Sequence, residues 1–546
     1  MKYIFLSLIS AMLLSISWPT YGIPFFIFIA LVPLLIMEHD ISKFSSLKRK
    51  GGSIFGLTYL CFVIWNIVTT GWLYEARNPD GSHSLFAVVF PVLVNSLLYS
   101  LVFQCYHWYK NAQGTYWGLA FFVAFWMCFE KFHLSWELTW PWLNLGNAFS
   151  DFPKLIQWYD TLGATGGSFW ILLINVFIFY TIRIYQAGRK RKSLVVNISI
   201  ISALIFLPMI ISLVKYNQFD EKPVGEVSVL MLQPDLDPYS EKYSQDSLTI
   251  QNDLLNLAEA NSKGKIDYYI APETALPGNG SFSETALDRS TVLFNVKNFL
   301  KQHPGSVFAT GASSHRIFKE EKNLPKEAYQ IAPMSWKVNY NTAIQLSPDQ
   351  PILVYHKGKL VPGVEIFPYI SVLKPLLGNA MLDLGGTVAS LGIDKERVAF
   401  SNPYNKGKLA PIICYESIYG EFTAEYVRKG ANFLAIMTND SWWGVSEGHK
   451  QLLSYAKLRA IETRREIARA ANSGISAHID ARGEIIEDTF YGDKTALYAK
   501  VKLYEGETFY VKAGDFLTRI CTFAVGFLFF YWLFTFLQEK YKSRKV

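Results

Sequence analysis

The sequence predicts a bundle of eight membrane-spanning helices that carries one large extramembrane domain of the α/β class. Three observations support this prediction. Only 18% of the 546 residues are charged while 16% are aromatic, long apolar runs recur along the chain, and one block of ordinary polarity separates the last two runs. A typical soluble protein has about 25% charged residues. An ordinary cytosolic protein and a disordered chain are therefore both excluded.

The apolar runs are the first element of this prediction, because a bilayer core of about 30 Å needs roughly 20 apolar residues in a helix. Eight runs come close to this length, at 3–19, 22–38, 54–74, 84–107, 116–136, 163–183, 194–214 and 516–537. The first run follows Lys2, and a cleavable signal peptide is its alternative interpretation. A second run begins at once, however, and no convincing cleavage site follows Ser15. We therefore expect a seven-helix domain at 1–216 and a last helix with a basic tail at 513–546.

The loops between the runs predict the orientation, because Lys and Arg in short loops are retained on the cytoplasmic side. Basic clusters follow every second run, at 43–50, 110, 183–192 and 540–545. The alternate loops, near 75–80 and 130–160, lack such clusters. Both termini are then cytoplasmic, and residues 217–512 lie on the periplasmic side of a bacterial inner membrane. Since the net charge of +7 comes with these loops, no nucleic-acid partner is expected.

Residues 217–512 alternate between predicted strands and helices, which is typical of an α/β domain. The predicted strands lie at 226–233, 266–272, 306–312, 340–346, 351–356, 409–414, 432–438 and 475–480. The predicted helices lie at 241–262, 285–302 and 449–471. The last of them is too charged on one face to be fully buried.

Cys414 is the one cysteine of this block. The others, Cys61, Cys105, Cys128 and Cys521, fall inside apolar runs, where a cysteine usually serves as a small buried hydrophobic residue. An extracytoplasmic domain normally pairs its cysteines in disulfides, and Cys414 has no partner in its own domain. It stands at the end of a predicted strand, so it is either a buried filler or a reactive nucleophile.

Two more predicted strands end at charged residues: one runs into Glu273 and another into Lys357. A carboxylate can take the proton of a thiol, and a nearby ammonium group favours the thiolate and then stabilises an oxyanion. With Cys414, these residues predict a nucleophilic active site. A Cys–His pair is the rival mechanism, and its candidate bases are His356, His449 and His478.

The segments around the three residues resemble motifs of the nitrilase, or carbon-nitrogen hydrolase, superfamily. They are Pro272-Glu273, Lys357-Gly-Lys-Leu-Val-Pro-Gly-Val-Glu365 and Ile413-Cys414-Tyr415-Glu416. The order of seven helices, one such domain and a last helix is similar to the apolipoprotein N-acyltransferase family. Thr438-Asn439-Asp440-Ser441-Trp442-Trp443-Gly444 looks like that family's Asn-Asp-x-Trp-Phe-Gly segment, and the resemblance covers nearly the whole chain.

The chain departs from the family pattern at two places. The family usually reads Pro-Phe-Gly-Glu where this chain has Pro362-Gly363-Val364-Glu365, and Trp-Phe-Gly where it has Trp442-Trp443-Gly444. Both departures leave the three central residues intact. They bear on the shape of the substrate pocket.

The resemblance implies a four-layer αββα sandwich at 217–512 and a role for each matching residue. Glu273 would be the general base, Cys414 the nucleophile and Lys357 the oxyanion stabiliser. Glu365, Tyr415 and Glu416 match supporting positions. No metal or cofactor is expected, since the histidines show no paired spacing and no glycine-rich fingerprint follows a strand.

The implied reaction is a ping-pong acyl transfer, the last step of lipoprotein maturation. Cys414 would take a fatty acyl group from the sn-1 ester of a phospholipid as a thioester. The N-terminal cysteine amine of a diacylglyceryl-modified lipoprotein would then accept it. Both partners are anchored in the bilayer, so a membrane-tethered site meets them at high effective concentration. The protein itself is expected to be a monomer. The alternatives are a tethered amidase or nitrilase acting on a small soluble substrate, and a non-enzymatic transporter or receptor.

Substrate contacts are expected from two apolar segments. The first follows Glu365, includes Phe367, Tyr369 and the apolar residues at 370–382, and is predicted to be an arm that enters the outer leaflet. Buried core is its alternative. The second contains Trp442 and Trp443, which would line an acyl pocket, with core packing as an equal alternative.

Overall fold

The computed structural model describes residues 1–77, 81–188, 191–237, 245–278, 280–369 and 390–543. The chain divides into two compact units. Unit 1 comprises Met1–Gly71, Val88–Gln218 and Ala513–Val546, and unit 2 comprises Trp72–Ala87 and Phe219–Lys512.

Unit 1 is built from apolar helices. In the described residues they span Lys2–Ile16, Val32–Phe44, Lys50–Thr70, Leu85–Gln113, Thr115–His133, Tyr159–Gln186, Arg191–Asn217 and Phe516–Ser543. Each predicted apolar run overlaps one of them. Their aromatic side chains pack closely, and the ring of Tyr99 lies 5.3 Å from the rings of both Trp65 and Trp126. Such close packing holds helices together in a bilayer, where lipid tails are as apolar as the side chains.

Six helical segments of the described chain are long and apolar enough to cross a membrane. They are Pro24–Phe44, Lys50–Glu75, Leu85–Gln113, Tyr159–Gln186, Lys192–Asn217 and Phe516–Gln538. The predicted count of eight is therefore approximate. Lys2–Ile16 has only 15 residues, which at about 1.5 Å per residue falls short of the bilayer core. Thr115–His133 ends in polar residues that dilute its apolar character.

Two neighbouring charged residues of unit 1, Glu130 and Lys131, have polar contacts within the unit. Glu130 is fully buried and accepts hydrogen bonds from Trp126 Nε1 and from the backbone N–H of Leu145, both at 3.0 Å. Its sequence neighbour Lys131 instead pairs with Asp515 at 3.0 Å. These contacts give both charges structural partners.

Unit 2 contains two β-sheets. Its strands are β1 Gly225–Gln233, β2 Tyr268–Ile270, β3 Phe282–Ser283, β4 Val307–Phe318, β5 Tyr329–Ala332, β6 Ser335–Leu346, β7 Leu353–His356, β8 Phe400–Ser401, β9 Lys408–Ile413, β10 Phe433–Thr438, β11 Ile467–Ala471, β12 Ala477–Ile479, β13 Ile485–Asp488 and β14 Thr495–Leu503. The first sheet has the order β14-β1-β2-β4-β6-β5, with β3 beside β4 and β7 beside β6. The second has the order β13-β12-β11-β10-β9-β8.

Helices cover the outer faces of both sheets. Ser247–Asn261 and Thr291–Gln302 place Leu254 and Val296 in one apolar core with Leu230 and Phe308 of the first sheet. Full burial of such a side chain contributes about 1.5–3 kcal/mol. The remaining α-helices that begin in unit 2 are Gly420–Arg428, Glu447–Thr463 and Phe509–Ala513.

The two sheets face each other, with the ring of Tyr268 on β2 lying 5.1 Å from the ring of Phe433 on β10. On the far side of the second sheet, Tyr426 of the helix Gly420–Arg428 donates a hydrogen bond to the Pro411 carbonyl of β9. The layers therefore follow the order helix, sheet, sheet, helix. The predicted αββα sandwich is confirmed.

One predicted element is wrong in its second half. The predicted helix 449–471 ends at Thr463, and Ile467–Ala471 forms β11 in the middle of the second sheet. Arg464 ends the helix in the left-handed region, with φ of 51°, so the usual glycine or proline stop signal is missing. Arg469 adds a polar residue to a fully buried strand, which disguises the strand as an amphipathic helix.

Other boundaries shift by less. The predicted helix 285–302 is a short turn, Glu284–Arg289, followed by the helix Thr291–Gln302, whose N-cap Ser290 accepts a hydrogen bond from the Leu293 N–H. The predicted helix 241–262 is described from Ser247, and residues 241–244 lie outside the described residues. Besides β11, five strands were not predicted: β3, β5, β8, β13 and β14.

Candidate active site

The turns that follow β2 and β7 bring Glu273 and Lys357 together. Lys357 Nζ lies 2.9 Å from Glu273 Oε1 and 2.9 Å from Glu365 Oε2. Lys357 is 1% exposed and Glu273 is 6% exposed. An ammonium group removed from water is stable only when opposite charges and hydrogen bonds surround it, and two carboxylates supply both here.

Asn341, on β6, connects the two carboxylates. Its Nδ2 donates to Glu273 Oε1 at 2.7 Å and to Glu365 Oε1 at 2.8 Å. Glu365 is fixed further by the backbone N–H of Val361, which donates to Oε2 at 2.9 Å. The two glutamates thus both hold the Lys357 ammonium group. Sequence reasoning missed Asn341, because it is one of several polar residues of β6.

Cys414 lies directly after β9, at the first position of the short helical turn Cys414–Ile418. Its φ of 47° is in the left-handed region, and so is the φ of 48° of Thr274, the residue after Glu273. Non-glycine residues in that region cost on the order of 1–3 kcal/mol and cluster at functional sites. The strain turns the backbone sharply where β9 ends.

Burial and neighbouring charges both shift the pKa values of Cys414 and Lys357. Burial first, and then Glu273, raise the pKa of the Cys414 thiol well above its usual value, while Lys357 and the Thr438 side chain lower it. Burial alone would lower the pKa of Lys357, but Glu273 and Glu365 outweigh it and hold that pKa well above its usual value. The resting pair is therefore a neutral thiol beside a permanent cation.

Glu416 organises the turn that carries the thiol. It is fully buried and accepts hydrogen bonds from the backbone N–H groups of Ile413 and Gly358 and from the Tyr355 hydroxyl, at 2.8, 2.6 and 2.7 Å. Gly358 follows Lys357 directly, so one carboxylate ties the cysteine turn to the lysine turn. Burial raises the pKa of Glu416, and these hydrogen bonds oppose that rise. Tyr415 is buried beside it, with its ring 5.3 Å from that of Tyr419.

Behind Cys414, β10 and β11 contribute a second polar group. Thr438 Oγ1 donates to Asp440 Oδ1 at 2.9 Å, and Arg469 Nη2 donates to Asp440 Oδ2 at 2.8 Å. All three residues are fully buried. Their roles were not predicted from the sequence, because each depends on the pairing of distant strands.

The predicted substrate-binding residues differ in their surroundings. Trp442 and Trp443 are half-buried, and the ring of Trp443 lies 5.0 Å from that of Trp72 in the same unit. Phe367 is buried, whereas Tyr369 is 38% exposed. The rest of the predicted arm, at 370–382, lies outside the described residues, so the arm stays a prediction.

Two of the three histidines of the rival mechanism pair with carboxylates elsewhere, and the third has a ring contact. His356 contacts Glu284 through Nε2 at 2.7 Å and Asp394 through Nδ1 at 2.9 Å. His478 Nε2 lies 2.8 Å from Glu466. The ring of His449 lies 4.8 Å from that of Tyr491. None of these contacts involves Cys414. Within the described residues, no group of three or more His, Cys, Asp or Glu side chains is arranged to hold a metal ion.

Comparison with known proteins gives matches along the whole chain. Residues 10–177 match the family described as apolipoprotein N-acyltransferase N-terminal domain, and residues 234–509 match carbon-nitrogen hydrolase. An apolipoprotein N-acyltransferase of Chlorobaculum tepidum is 27% identical over 542 residues, which cover 96% of each chain. One of Geobacter metallireducens is 25% identical and covers 94% of this chain and 92% of its own. A solved CN-hydrolase superfamily protein of Xanthomonas campestris aligns with a TM-score of 0.35 and 15% identity, over 51% of this chain and 91% of its own.

Proposed function

The chain belongs to the carbon-nitrogen hydrolase family and carries the N-terminal domain of apolipoprotein N-acyltransferases, and from this membership we propose that it N-acylates lipoproteins. The acyl donor is a phospholipid, and the acceptor is the amine of an N-terminal diacylglyceryl-cysteine. The observation that carries the proposal is the Lys357 ammonium group, which contacts both Glu273 and Glu365. Cys414 follows strand β9 in the same unit. A carboxylate, an ammonium and a thiol are the three groups that acyl transfer through a thioester requires.

In the first half-reaction, Glu273 takes the thiol proton as the sulfur of Cys414 attacks the ester carbonyl carbon. The carbonyl oxygen becomes an oxyanion, and the Lys357 ammonium stabilises it. When the intermediate collapses, the carbon–oxygen bond to the glycerol breaks and the leaving oxygen receives the proton from Glu273. Lysophospholipid departs, and the acyl group remains on the sulfur.

In the second half-reaction, the α-amine of the acceptor attacks the thioester carbon and gives a proton to Glu273. The carbon–sulfur bond breaks, and that proton returns to the sulfur. The burial of Glu273, Lys357 and Cys414 supports transfer over hydrolysis, because a thioester in a water-poor site survives until the amine arrives.

The membrane arrangement follows the same proposal. The protein is a multi-pass bacterial membrane protein, as its apolar helices and relatives suggest. Both termini are cytoplasmic and unit 2 is periplasmic, an orientation supported by the basic loops. A site on that face meets donor and acceptor in the leaflet that carries both. The amidase or nitrilase alternative is not favoured, since residues 10–177 match a domain described for the acyltransferases.

The test supplies purified full-length protein in lipid nanodiscs with a phospholipid labelled in its sn-1 acyl chain and a diacylated lipopeptide. We expect the wild type to form a hydroxylamine-sensitive labelled enzyme and then an N-acylated peptide. Cys414→Ser should do neither, while Cys105→Ser, which changes a free cysteine of unit 1, should match the wild type. Transfer by Cys414→Ser, or release of label only as free fatty acid by the wild type, would overturn the proposal.

A further inference from the structure

Thr438 ends β10 next to the residue that the proposed function makes the nucleophile. β9 and β10 run parallel with Met437 opposite Ile413, so Thr438 and Cys414 leave the sheet side by side. Thr438 is fully buried and Cys414 is 5% exposed. The Thr438 side chain also lowers the pKa of the Cys414 thiol. Water therefore does not compete for the hydroxyl at this position.

The Thr438 hydroxyl has one proton and two neighbours that can accept it. A hydroxyl donates one hydrogen bond and can accept two. Here it donates to Asp440 Oδ1 at 2.9 Å. While the hydroxyl donates to Asp440, it can only accept a hydrogen bond from the thiol. It can donate to the sulfur only when its bond to Asp440 is broken.

Asp440 keeps a charged partner when the Thr438 hydroxyl turns away from it. Its other oxygen receives Arg469 Nη2 at 2.8 Å, and both side chains are fully excluded from solvent. Arg469 lies on β11 opposite Ile436 of β10 and also donates through Nη1 to the Ile475 carbonyl. The carboxylate thus keeps a charged partner whether or not the hydroxyl points at it.

We infer that Thr438 is a positioning residue for the nucleophile: its hydroxyl donates to Asp440 at rest and turns its proton to the Cys414 sulfur when the thiolate forms. The hydroxyl proton stays on Oγ1, and the thiol proton goes to Glu273, so no further acid or base is needed. The inference rests on the proposed function, because it requires Cys414 to be the nucleophile.

The charges around the sulfur explain why a neutral donor is useful there. Glu273 and Lys357 approach from the turns after β2 and β7, and the pair of Asp440 and Arg469 comes from the turn after β10 and from β11. Burial, Glu273 and Asp440 raise the pKa of the thiol. A second cation would compete with Lys357 for Glu273, whereas a hydroxyl favours the thiolate without adding charge. Hydrogen bonds to a charged acceptor are roughly twice as strong as those between neutral groups.

The experiment measures how fast iodoacetamide alkylates Cys414 in the full-length protein in nanodiscs, read on the Cys414 peptide by mass spectrometry. Thr438→Val keeps the shape of the side chain and removes the hydroxyl, while Thr438→Ser keeps the hydroxyl. We expect the Val variant to react about tenfold more slowly at pH 8.5, with its rate profile displaced upward by about one pH unit. The Ser variant should stay close to the wild type. Acylation by phospholipid should fall in kcat rather than rise in KM.

Two results would overturn the inference: a Val variant that reacts like the wild type, or a Ser variant that slows as much as Val. If the Val variant does not fold, Thr438→Ala against Thr438→Ser makes the same comparison. The labelled-phospholipid assay separates the two proposals. A wild type that forms no thioester removes the proposed function, whereas a wild type that forms one while the Thr438 variants do not differ removes only this inference.

Discussion

Asn341 donates to both Glu273 and Glu365 through one amide nitrogen, at 2.7 and 2.8 Å. The Lys357 ammonium contacts the same two carboxylates. The four side chains form a closed network in which each carboxylate has a cationic and a neutral donor. The glutamates are not equivalent copies, because Glu273 raises the pKa of the thiol whereas Glu365 is also held by the backbone N–H of Val361.

This difference predicts a separation of roles between the two glutamates. Glu273→Gln removes the group that takes the thiol proton, so enzyme acylation by phospholipid should fall by about 10²–10⁴-fold. The measurement is the single-turnover rate of thioester formation at Cys414. Glu284→Gln, at a buried glutamate that contacts His356 instead, is the control and should lose far less. Near-normal acylation by Glu273→Gln would contradict the assignment of the base.

Glu365 is expected to act on Lys357 instead. Glu365→Gln removes one of the two carboxylates that hold the pKa of Lys357 well above its usual value, so that pKa should fall by about one unit or more. Because the oxyanion needs a protonated ammonium, the alkaline limb of the pH–kcat profile should then move to lower pH. A variant with reduced kcat and an unchanged alkaline limb would show that Glu365 acts only through packing.

A close backbone contact predicts a second way to disable the base. A Cβ added to Gly311 on β4 would lie 2.3 Å from the Thr274 nitrogen and 2.6 Å from Glu273 Cα. Gly311→Ala should therefore displace the turn that carries Glu273, at a cost of about 1–3 kcal/mol, and reduce acylation more than it reduces expression. Gly225→Ala on β1 is the matched control, since its Cβ would meet only Leu503 Cδ1 at 3.5 Å. Equal activity in the two variants would count against this role of Gly311.

The sequence predicted the strand ends because each apolar run stops at a polar residue. Four strands end within two residues of their predicted limits: β2, β7, β9 and β10. Glu273, Lys357 and Cys414 follow the first three of them, in that order. The sandwich itself came from resemblance, since periodicity does not determine how two sheets face each other. β11 was missed because Arg469 interrupts its apolar run, and the charge of Arg469 makes sense only beside Asp440, in the turn after the neighbouring strand β10.

Asn341 shows the same limit at the site. It lies within β6, and its two contacts depend on turns that follow β2 and β7, so no local pattern reveals them. The roles predicted for Glu273, Lys357, Cys414 and their supporting residues stay predictions until the variants are measured. What the fold adds is a physical reason for each test.

The orientation of unit 2 gives a prediction independent of catalysis. Lys322 in unit 2 and Lys48 in unit 1 are both exposed, and a cysteine at either site would be open to a maleimide. With a membrane-impermeant maleimide on intact spheroplasts, Lys322→Cys should react at once, and Lys48→Cys only after permeabilisation. The wild type reports the background from its own cysteines. The reverse pattern would place unit 2 in the cytoplasm and remove its access to the proposed substrates.

His356, the neighbour of Lys357, predicts how stability changes with pH. Burial lowers its pKa, but hydrogen bonds and charge interactions with Asp394 and Glu284 outweigh burial, so the pKa is raised. Since the folded pKa exceeds the unfolded value of about 6.5, the contribution is fully present below that value. It is lost as the pH rises through the folded pKa.

Glu284 and Asp394 behave in the opposite sense. Despite burial, His356 lowers the pKa of Glu284 to about 2 and also lowers that of Asp394. Their contribution is present above their unfolded pKa values and is lost only in acid. Of these three groups only the histidine titrates between pH 6 and 9, and its contribution should lower the thermal midpoint of unfolding as the pH rises.

His356→Gln keeps hydrogen-bonding capacity but cannot hold a charge, so its thermal midpoint should vary less over that pH interval. His303→Gln is the matched control, because His303 contacts a single exposed glutamate, Glu259, and it should keep the wild-type slope. The measurement is the thermal midpoint of the detergent-solubilised protein at several pH values. If His356→Gln keeps the full wild-type slope, other groups hold the β7 end in place, and Lys357 is then positioned by its carboxylates rather than by its neighbour.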